Sequence, residues 1–304
     1  DQAETPMHDL QLELGKLGIS DRVEAQLGDI RDARQVLDTF LAFRPEMVFH
    51  AAAYKHVPLM ERQPWQAFET NVVGTRNVLK AAQAAEVPAF VFVSTDKTVN
   101  PTSVMGATKR ADERLIQALA PEGSTRVITT RFGNVLGSNG SVIPLFRRQI
   151  AAGGPVTVTD AEVTRFFMTI PEAAQLVLEA AAMGEGGEVF VFDMGERVRI
   201  LDLAKKMIQL AGKEPERDIE LKITGLRPGE KLHEELLLKA EDHLPTHHPK
   251  IMRAAHTASR GAEWLPEIEV LARARGDHAG ALRFLKESVP EFASNQRASA
   301  NFES

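Results

Sequence analysis

Short apolar or β-branched runs alternate with longer helical patterns between residue 20 and about residue 135 of this 304-residue chain. The predicted strands are Val23–Leu27, Met47–His50, Phe90–Ser94 and Arg126–Arg131, and the predicted helices are Ala33–Phe43, Pro64–Ala85 and Ser103–Ala120. Alternation of this kind is typical of βαβ units, whose strands form a parallel sheet with helices on both faces. We therefore predict an α/β fold built on a doubly wound parallel sheet.

The pattern changes after Gly133, where loops rich in Gly, Ser and Asn separate shorter elements. The predicted elements are helices Ile143–Ala152, Pro171–Met183, Pro266–Arg275 and Ala279–Glu287, and strands Val156–Thr159 and Glu188–Phe192. We predict three parts. Residues 1–135 form the main part, residues 136–252 form a smaller α/β lobe that closes over a ligand and returns some strands to the sheet, and residues 253–304 form a helical C-terminal extension and tail.

The charge and residue content exclude several classes of protein. With 36 Lys and Arg against 42 Asp and Glu, the formal net charge is −6 and no basic cluster stands out, so a nucleic-acid or lipid-surface binder is not expected. The sequence has no cysteine, which excludes disulfides, thiolate catalysis and zinc–sulfur sites and fits a reducing compartment. It contains no apolar run long enough for a membrane span, so we expect a soluble chain.

Asp242, His243, His247 and His248 have side chains that bind metals in other proteins. They lie in a polar stretch broken by proline, whereas a metal site needs its ligands held in a fixed geometry. We interpret the stretch as a solvated loop and predict no metal site.

Polar side chains follow the predicted strands at the edge where a parallel sheet binds its ligands. Ser94–Lys97 stand at the end of a buried strand, and Lys109 follows Met105 by four residues. Apolar walls around a carboxylate and an ammonium can shift the pKa values of both groups, which suits acid and base steps. The alternative is a helix cap at Thr95 or Asp96 beside a solvated lysine. Because that alternative explains only one residue of the group, we predict a catalytic site.

Two other strand ends carry candidate ligand contacts. After the first predicted strand, Asp29 could accept hydrogen bonds from an adenine amino group, or it could cap the helix that begins near Ala33. After His50, three alanines would let the backbone approach a ligand closely, and Lys55 and His56 follow at once. Small residues also pack tight strand–helix crossings, so both interpretations stay open for the alanines.

A fourth group of residues suits a phosphate. Asn134 follows the last of the predicted parallel strands, and Gly140–Pro144 opens a helix whose first backbone amides could bind an anion. Arg199 and Arg227 could clamp a diphosphate, with Glu230 holding sugar hydroxyls. Each arginine alone is more often part of a surface ion pair, but together these residues favour ligand binding.

Four motifs, in order and at the expected spacing, resemble the extended short-chain dehydrogenase/reductase superfamily and, within it, the UDP-N-acetylglucosamine 4,6-dehydratases of bacterial surface-polysaccharide synthesis. They are His50–Glu61 (HAAAYKHVPLME), Ser94–Lys97 with Met105–Lys109, Arg131–Gly137 and Arg227–Glu235 (RPGEKLHEE). The similarity runs from Asp1 to about Met252. It implies a Rossmann-like fold, an NAD cofactor, a UDP-sugar substrate and a homo-oligomer.

The resemblance also implies a role for each matching residue. NAD⁺ would take hydride from C4 of the sugar and return it to C6, Lys97 would remove the C5 proton, Asp96 would protonate the departing C6 hydroxyl, and Lys109 would hold the nicotinamide ribose. The residues implied to line the cofactor cleft are Asp1, Asp29, Ile30, Ala51, Ala52, Tyr54, Asn71, Ser94 and Lys109. Those implied to bind the UDP-sugar are Lys55, His56, Asn134, Ser141, Val142, Arg199, Arg227 and Glu230.

The sequence departs from the superfamily pattern at one catalytic position. The superfamily usually has Tyr-x-x-x-Lys, but here Met105 stands in place of the tyrosine, and the only tyrosine, Tyr54, follows a different strand. A thioether cannot act as a base, so we expect Thr95 or Asp96 to take the proton of the C4 hydroxyl. The match is closest to the subgroup that has Met at this position, which resembles the membrane-anchored dehydratases that keep the C5 configuration.

A second departure concerns the phosphate-binding loop. A dinucleotide fold begins with a strand, Gly-x-Gly-x-x-Gly and a helix, and an acidic residue follows about 20 residues on. The chain contains no such glycine motif, while Asp1 resembles the acidic residue and, with no Arg beside it, favours NAD over NADP. We expect a fragment that lacks the loop and any upstream membrane anchor. Such a chain would be cytoplasmic, or the cytoplasmic domain of an inner-membrane protein, and would bind NAD⁺ weakly.

Three functions remain open on the sequence alone. The leading hypothesis is a UDP-N-acetylglucosamine 4,6-dehydratase. The second is a nucleotide-sugar 4-epimerase, although that chemistry normally uses the missing tyrosine. The third is a non-catalytic module that binds a nucleotide sugar, if the glycine loop is absent from the whole protein.

Overall fold

The computed structural model describes residues 1–237, 243–254 and 262–292. The α-helices are α1 (Glu4–Lys16), α2 (Ala33–Phe43), α3 (Val57–Arg62), α4 (Pro64–Ala67), α5 (Gly74–Ala84), α6 (Val104–Leu119), α7 (Val142–Ala151), α8 (Ile170–Met183), α9 (Ile200–Leu210), α10 (Leu265–Arg273) and α11 (His278–Ser288). The strands are β1 (Met47–His50), β2 (Ala89–Val93), β3 (Arg126–Arg131), β4 (Asn134–Val135), β5 (Val156–Val158), β6 (Thr164–Arg165), β7 (Phe167–Met168), β8 (Val189–Phe192), β9 (Val198–Arg199), β10 (Leu221–Ile223), β11 (His243–Pro245) and β12 (Ile251–Ala254).

Six strands form the main sheet in the order β1-β2-β3-β8-β12-β11. The first four pair in parallel, and β12 and β11 add in antiparallel orientation. Successive side chains of a strand point to opposite faces, so Phe90 and Phe92 pack with α5 and α6, while Ile128 and Phe190 pack with α8. The prediction of an α/β fold with a doubly wound, largely parallel sheet is confirmed.

The predicted smaller lobe contains a separate hydrophobic cluster, while the division of the chain into three parts stays a prediction. Phe146 of α7, Val156 and Val158 of β5, and Ile200 and Ile208 of α9 are buried together. Strand β10 pairs in parallel with β5 inside this lobe, and β7 pairs in parallel with β4, which directly precedes the lobe. The strand β8 and the antiparallel strand β12 lie in the main sheet, so the chain returns to that sheet after the lobe.

The predicted strand Val23–Leu27 is wrong, because this segment forms no strand in the structure. A strand needs a partner along its length. Apart from the local bond of Val23 N to Ser20 O (3.2 Å), the backbone hydrogen bonds described at this segment are made with Asp1, whose amino group donates to Gln26 O (3.1 Å) and whose carbonyl oxygen accepts from Gly28 N (3.1 Å) just after the segment. Pairing with a single residue cannot supply the row of hydrogen bonds that a β-strand requires.

The predicted helix Pro64–Ala85 is one helical run whose middle turn, Phe68–Val73, is π-helical. The remaining predicted elements agree with the structure to within two residues at each end. Long amphipathic helices and buried apolar strands carry strong periodic signals, which explains this agreement.

The C-terminal helices α10 and α11 pack on the first core. Phe284 is 1% exposed, and its ring meets Phe68 edge-on with centroids 5.2 Å apart and Trp264 at 6.3 Å. Ile268 and Leu271 of α10 are buried in the same cluster. The described part of the C-terminal extension is therefore part of the folded body. In the part of the chain that the structure describes, no helix is both long and apolar enough to cross a membrane.

We expect Phe284→Ala to lower the free energy of unfolding by about 3–5 kcal/mol, because it removes a fully buried ring and leaves a cavity. Urea denaturation measures the change. The exposed neighbour Lys286 provides the control, since Lys286→Ala should change the stability by less than about 0.5 kcal/mol. Equal stability of the Phe284 variant and wild type would show that α11 does not pack as described.

Candidate active site

A cleft of about 450 Å³ opens at the carboxyl ends of β1, β2 and β3. Parallel sheets present ligand sites at this edge. The sequence-predicted residues that line it are Ala51, Tyr54, Lys55, His56, Ser94, Thr95, Lys97, Met105, Lys109, Asn134, Ser141, Arg227 and Glu230. The structure thus brings side chains from several distant stretches of sequence to one cavity.

A single turn of 3₁₀ helix, Asp96–Thr98, follows β2 and carries the central polar group. Asp96 Oδ1 accepts hydrogen bonds from Thr95 Oγ1 (3.0 Å) and from Lys97 Nζ (2.9 Å). Lys97 Nζ also donates to Asn134 Oδ1 (3.0 Å), which follows β3. We call residues 95–98 the catalytic turn, because the sequence predicts a catalytic site there. Its hydroxyl, carboxylate and ammonium groups form one hydrogen-bonded unit.

Asp96 lies behind the cleft wall rather than on it. Its side chain is fully buried, Asp96 does not line the cavity, and its Oδ2 atom has no hydrogen-bond partner among the described residues. Thr95 and Lys97 do line the cavity and both contact Asp96. A molecule in the cleft therefore reaches the Asp96 carboxylate through the Thr95 hydroxyl or the Lys97 amine.

A buried ion network fixes the catalytic turn to the sheet and to α6. Glu113 of α6 accepts hydrogen bonds from Ser94 Oγ (2.6 Å) and Thr98 Oγ1 (3.1 Å), on either side of residues 95–97. Its other carboxylate oxygen pairs with Arg131 (2.8 Å) and Arg110 (2.9 Å). Burial acts to raise the pKa of Glu113, but the two arginines outweigh it and lower that pKa to about 2. Glu113 is therefore ionised at neutral pH.

The first turn of α6 packs directly against the catalytic turn. Ser103 Oγ accepts the hydrogen bond of Gly106 N (3.1 Å) and so caps the helix. A Cβ at position 106 would overlap the backbone carbonyl oxygen of Lys97, so only glycine allows this approach. Because α6 approaches Lys97 this closely, Met105 and Lys109, which lie one turn apart on α6, line the same cleft as Lys97.

Lys109 is a buried amine with little compensation for its charge. Its side chain is 6% exposed, and Nζ lies 3.8 Å from the centroid of the Phe92 ring and 3.9 Å from Asp112. We find no hydrogen bond from Nζ to a described residue. Burial penalises the ammonium form and lowers the pKa of Lys109 to about 8, although Asp112 and Glu113 act in the opposite sense.

Two loops meet across the mouth of the cleft. Lys55 Nζ donates to Asn139 O (2.7 Å), and the imidazole of His56 lies against Gly140. Gly140 has a φ of +70° and a Cβ there would overlap the His56 ring, so glycine is required on both counts. The loop after β1 therefore contacts the segment that opens α7, where Ser141 Oγ is buried without a hydrogen-bond partner among the described residues.

Segment 227–234 forms the wall contributed by the smaller lobe. Glu230 Oε1 accepts hydrogen bonds from Thr159 Oγ1 (3.0 Å) and Arg165 Nη2 (3.2 Å), and its Oε2 pairs with Arg227 (3.4 Å). Glu230 therefore already has protein partners on both carboxylate oxygens. Its role as a holder of sugar hydroxyls stays a prediction.

Glu234 and Arg165 also line the cleft, but the sequence did not predict them as site residues. Glu234 lies in the Arg227–Glu235 motif, but nothing in the sequence distinguishes it from the neighbouring Glu235. Arg165 belongs to a two-residue strand in an irregular stretch. Only the folded chain places either residue beside Lys97.

Several predicted cofactor contacts lie elsewhere. Asp29 is held by Arg31 through both carboxylate oxygens, and Ile30 packs on Gly74. Asn71 is fully buried and bonds to both backbone groups of Tyr54 and to Thr108, so it positions the loop after β1 from behind. Neither these three residues nor the exposed Asp1 and Ala52 line the cleft.

Two predicted substrate contacts are also separate from the cleft. Arg199 is exposed and pairs with Glu162 (2.6 Å), because β9 pairs with β6 at the surface of the smaller lobe. Val142 packs into the core of that lobe.

The side chains considered as metal ligands do not form a cluster among the described residues. His247 lies 3.5 Å from Glu179, and Asp242 lies outside the described residues. Within the described ranges, no three His, Asp or Glu side chains come together as a metal site.

Lys109 makes the stability of the fold depend on pH above neutrality. Its pKa is about 8 in the folded protein and 10.5 ordinarily, so between these values the unfolded chain binds a proton that the folded chain does not. We expect the free energy of unfolding, measured in urea, to rise with pH through this window by up to about 1.4 kcal/mol per pH unit. With no cysteine and one tyrosine, lysines are the main other groups that titrate toward the top of this window, and an exposed lysine that titrates alike in the folded and unfolded chain adds no slope.

The variant Lys109→Met should lose this rise, whereas Lys205→Met, at an exposed lysine, should keep it. Parallel pH dependences for wild type and the Lys109 variant would contradict the assignment.

Comparisons with known proteins agree with this architecture. A sequence profile described as "Polysaccharide biosynthesis protein" matches residues 1–256. The chain is 52% identical over 253 residues to the capsular polysaccharide biosynthesis protein CapD of Staphylococcus aureus, a match that covers 82% of this chain and 42% of CapD. It is 35% identical over 239 residues to a UDP-N-acetylglucosamine 4,6-dehydratase (inverting) of Campylobacter jejuni, which covers 77% of this chain and 68% of the relative. The chain thus spans less than half the length of CapD.

Other similar proteins have different names. A UDP-glucose 4-epimerase of Rickettsia akari is 38% identical over 224 residues, covering 73% of this chain and 63% of the epimerase. Among solved structures, Pen from Bacillus thuringiensis superposes with a TM-score of 0.76 at 35% identity and covers 85% of this chain and 79% of Pen. With its Rossmann-like fold and a profile match over most of its length, the chain belongs to the polysaccharide biosynthesis family within the extended short-chain dehydrogenase/reductase superfamily.

Proposed function

We propose that the protein carrying this chain is a nucleotide-sugar 4,6-dehydratase that converts UDP-N-acetylglucosamine to a UDP-linked 4-keto-6-deoxy sugar for surface-polysaccharide synthesis. The observation that carries the proposal is the hydrogen-bonded unit of Thr95, Asp96 and Lys97 at the wall of a cleft. Removal of water from a hexose needs one group that takes a proton from carbon and one that protonates the departing hydroxyl. An amine and a carboxyl group in contact can supply both.

The cleft suits a nicotinamide dinucleotide, which we propose to be NAD, at the wall formed by the loop after β1 and by α6. Ala51 and Ala53 leave room for close approach there, and the buried Lys109 ammonium is free to donate to a ribose hydroxyl. When bound, NAD supplies a hydride acceptor for C4 of the sugar and later returns that hydride to C6. The remaining steps belong to residues of the chain.

Proton removal from the C4 hydroxyl uses the Thr95–Asp96 contact. Met105 occupies the position next to Lys97 where the superfamily has a phenol, and a thioether holds no proton. The Thr95 hydroxyl lines the cleft and donates to Asp96 Oδ1 at 3.0 Å. Thr95 can therefore take the C4 hydroxyl proton while it passes its own to Asp96, which leaves a protonated carboxyl group behind the wall.

The same groups complete the loss of water. The carboxylates beside Lys97 raise its pKa, so the neutral amine is the minor form and is the one that reacts. In that form Lys97 takes the proton from C5, which the neighbouring ketone has acidified. Asp96 returns its proton through Thr95 to the C6 hydroxyl, which departs as water. The proton on Lys97 then returns to C5. Thr95, Asp96 and Lys97 end in the protonation states in which they began, so no external acid or base is consumed.

The UDP part would bind at the face of the smaller lobe. Arg227 is half exposed at the cleft, and the buried Ser141 hydroxyl at the start of α7 lacks a hydrogen-bond partner among the described residues. An anion at this helix start would meet free backbone amides, a hydroxyl and a guanidinium. Lys55, His56 and Asn134 also line the cleft and would contact the sugar.

A 4-epimerase is the second candidate, supported by the similarity to the Rickettsia akari enzyme. Epimerisation at C4 requires no proton transfer at C5 and no acid for a C6 hydroxyl. The close contact of Lys97 with Asp96 would then have no chemical use, which favours the dehydratase.

The test supplies UDP-N-acetylglucosamine and NAD⁺ to the protein expressed from its complete reading frame, and follows the product by NMR. We expect a 4-keto-6-deoxy sugar nucleotide, and a fall in kcat of at least about 100-fold for Lys97→Met and for Asp96→Asn. Lys205→Met, at an exposed lysine on α9, is the matched control and should keep wild-type turnover. Inversion at C4 without loss of water would select the epimerase, and undiminished turnover in Lys97→Met would refute the assigned base.

A further inference from the structure

Glu234 is a buried carboxylate that faces Lys97 from the smaller lobe. It is 4% exposed and lines the cleft, and its Oε2 atom has no hydrogen-bond partner among the described residues. Its Oε1 atom lies 3.9 Å from Lys97 Nζ and 3.9 Å from Arg165 Nε. A carboxylate this buried costs free energy unless cations lie nearby, so its position between these two cations stabilises it.

The backbone around Glu234 is held firmly. The carbonyl oxygen of Glu234 accepts a hydrogen bond from Arg197 Nη2 (3.1 Å), and the carbonyl oxygen of Leu232 accepts one from Thr164 N (3.0 Å). These bonds tie the segment to β6 and to the stretch before β9. The separation of Glu234 from Lys97 is therefore set by the packing of the smaller lobe and not by a mobile side chain alone.

The charged groups that face Lys97 come from three elements. Asp96 lies on the catalytic turn, Glu234 on the segment after Arg227, and Arg165 on β6, while Asn134 after β3 adds a neutral amide oxygen. Of the two carboxylates, Asp96 bonds to the Thr95 hydroxyl and Glu234 does not. Of these two carboxylates in the described site, Asp96 is therefore the one with a hydrogen-bonded path to a hydroxyl that lines the cleft.

We propose that Glu234 is a positioning residue of the active site, whose fixed negative charge sets the protonation of Lys97 during the reaction. The inference rests on the proposed dehydratase function and assigns a role that the catalytic turn alone does not supply. When Asp96 takes up the proton of the C4 hydroxyl, it loses its charge. Glu234 then remains as the one carboxylate beside Lys97 in the described site, and it stabilises the ammonium that forms when Lys97 takes the C5 proton.

The electrostatics of the site support this role. Burial alone would lower the pKa of Lys97, as it does for Lys109, and Arg165 acts in the same sense. The carboxylates of Asp96 and Glu234 outweigh both effects and raise the pKa of Lys97. Glu234 therefore makes Lys97 a stronger base than burial would allow.

The first measurement uses competitive acetylation of the protein by acetic anhydride, read by mass spectrometry at Lys97. Only the neutral amine reacts, and Lys97 is 21% exposed, so the reagent can reach it. We expect Glu234→Gln, which removes the charge and keeps the shape, to speed acetylation of Lys97 about tenfold at neutral pH. Glu234→Asp, which keeps the charge, should restore most of the wild-type rate. Glu235→Gln, at the adjacent carboxylate, is the matched control and should leave the rate unchanged.

A second variant should change the acetylation rate of Lys97 in the opposite direction. Arg165→Gln removes a cation near Glu234 and Lys97 and should slow acetylation of Lys97. General loosening of the site would expose Lys97 and speed acetylation in both variants. Equal rates in wild type and Glu234→Gln, or faster acetylation in both Glu234→Gln and Arg165→Gln, would overturn the proposal.

The second measurement is the pH dependence of kcat with UDP-N-acetylglucosamine. In Glu234→Gln the ascending limb of the profile should move to lower pH, because Lys97 loses its proton more readily, and Glu234→Asp should move it less. If kcat falls in Glu234→Gln but the ascending limb of its pH profile does not move, Glu234 has only a structural role and the inference is rejected. The two measurements separate the proposals. An acetylation response without any dehydration shows that Glu234 sets the protonation of Lys97 but refutes the dehydratase and the role of Glu234 in that reaction, whereas dehydration without an acetylation response refutes only the role of Glu234.

Discussion

The geometry of the cleft depends on the buried pairing of Glu113 with Arg131. A carboxylate and a guanidinium away from water are stable only when their hydrogen-bonding atoms are paired. Here Ser94, Thr98 and Arg110 complete the partners of Glu113. One carboxylate on α6 therefore fixes the end of β2, the end of β3 and the catalytic turn relative to one another. Arg110 also reaches Glu291 (3.4 Å), which links this network to the segment after α11.

The two lysines of the cleft show how the same side chain acquires different properties from its surroundings. Lys109 lies against the Phe92 ring with a carboxylate only at 3.9 Å, so burial dominates and its pKa falls. Lys97 contacts Asp96 directly and has Glu234 behind it, so the carboxylates dominate and its pKa rises. The Lys109 amine can donate a hydrogen bond that orients a ligand. Lys97 rests as an ammonium and must first lose its proton before it can act as the proposed base at carbon.

The sequence predicted the long elements because each carries a periodic apolar pattern that burial requires. It failed at Val23–Leu27, where the apolar pattern is present but the structure offers no partner strand. The catalytic turn and α6 were predictable from residue types, since Thr95, Asp96, Lys97 and Lys109 stand close together in the chain. Two-residue strands such as β6 and β9 carry no pattern, so the position of Arg165 beside the cleft and of Arg199 away from it emerged only from the fold. The sequence could not single out Glu234 either, because Glu234 differs from Glu235 in burial and not in residue type.

The most direct test of this account follows a label through the reaction. UDP-N-acetylglucosamine carrying deuterium at C4 is supplied to the protein with NAD⁺, and the product is examined by NMR and mass spectrometry. If the catalytic turn and the nicotinamide act on one sugar in one cleft, the deuterium moves to the C6 methyl group while the sugar loses water. Deuterium that remains at C4, with inverted or unchanged configuration and no water lost, would contradict the account.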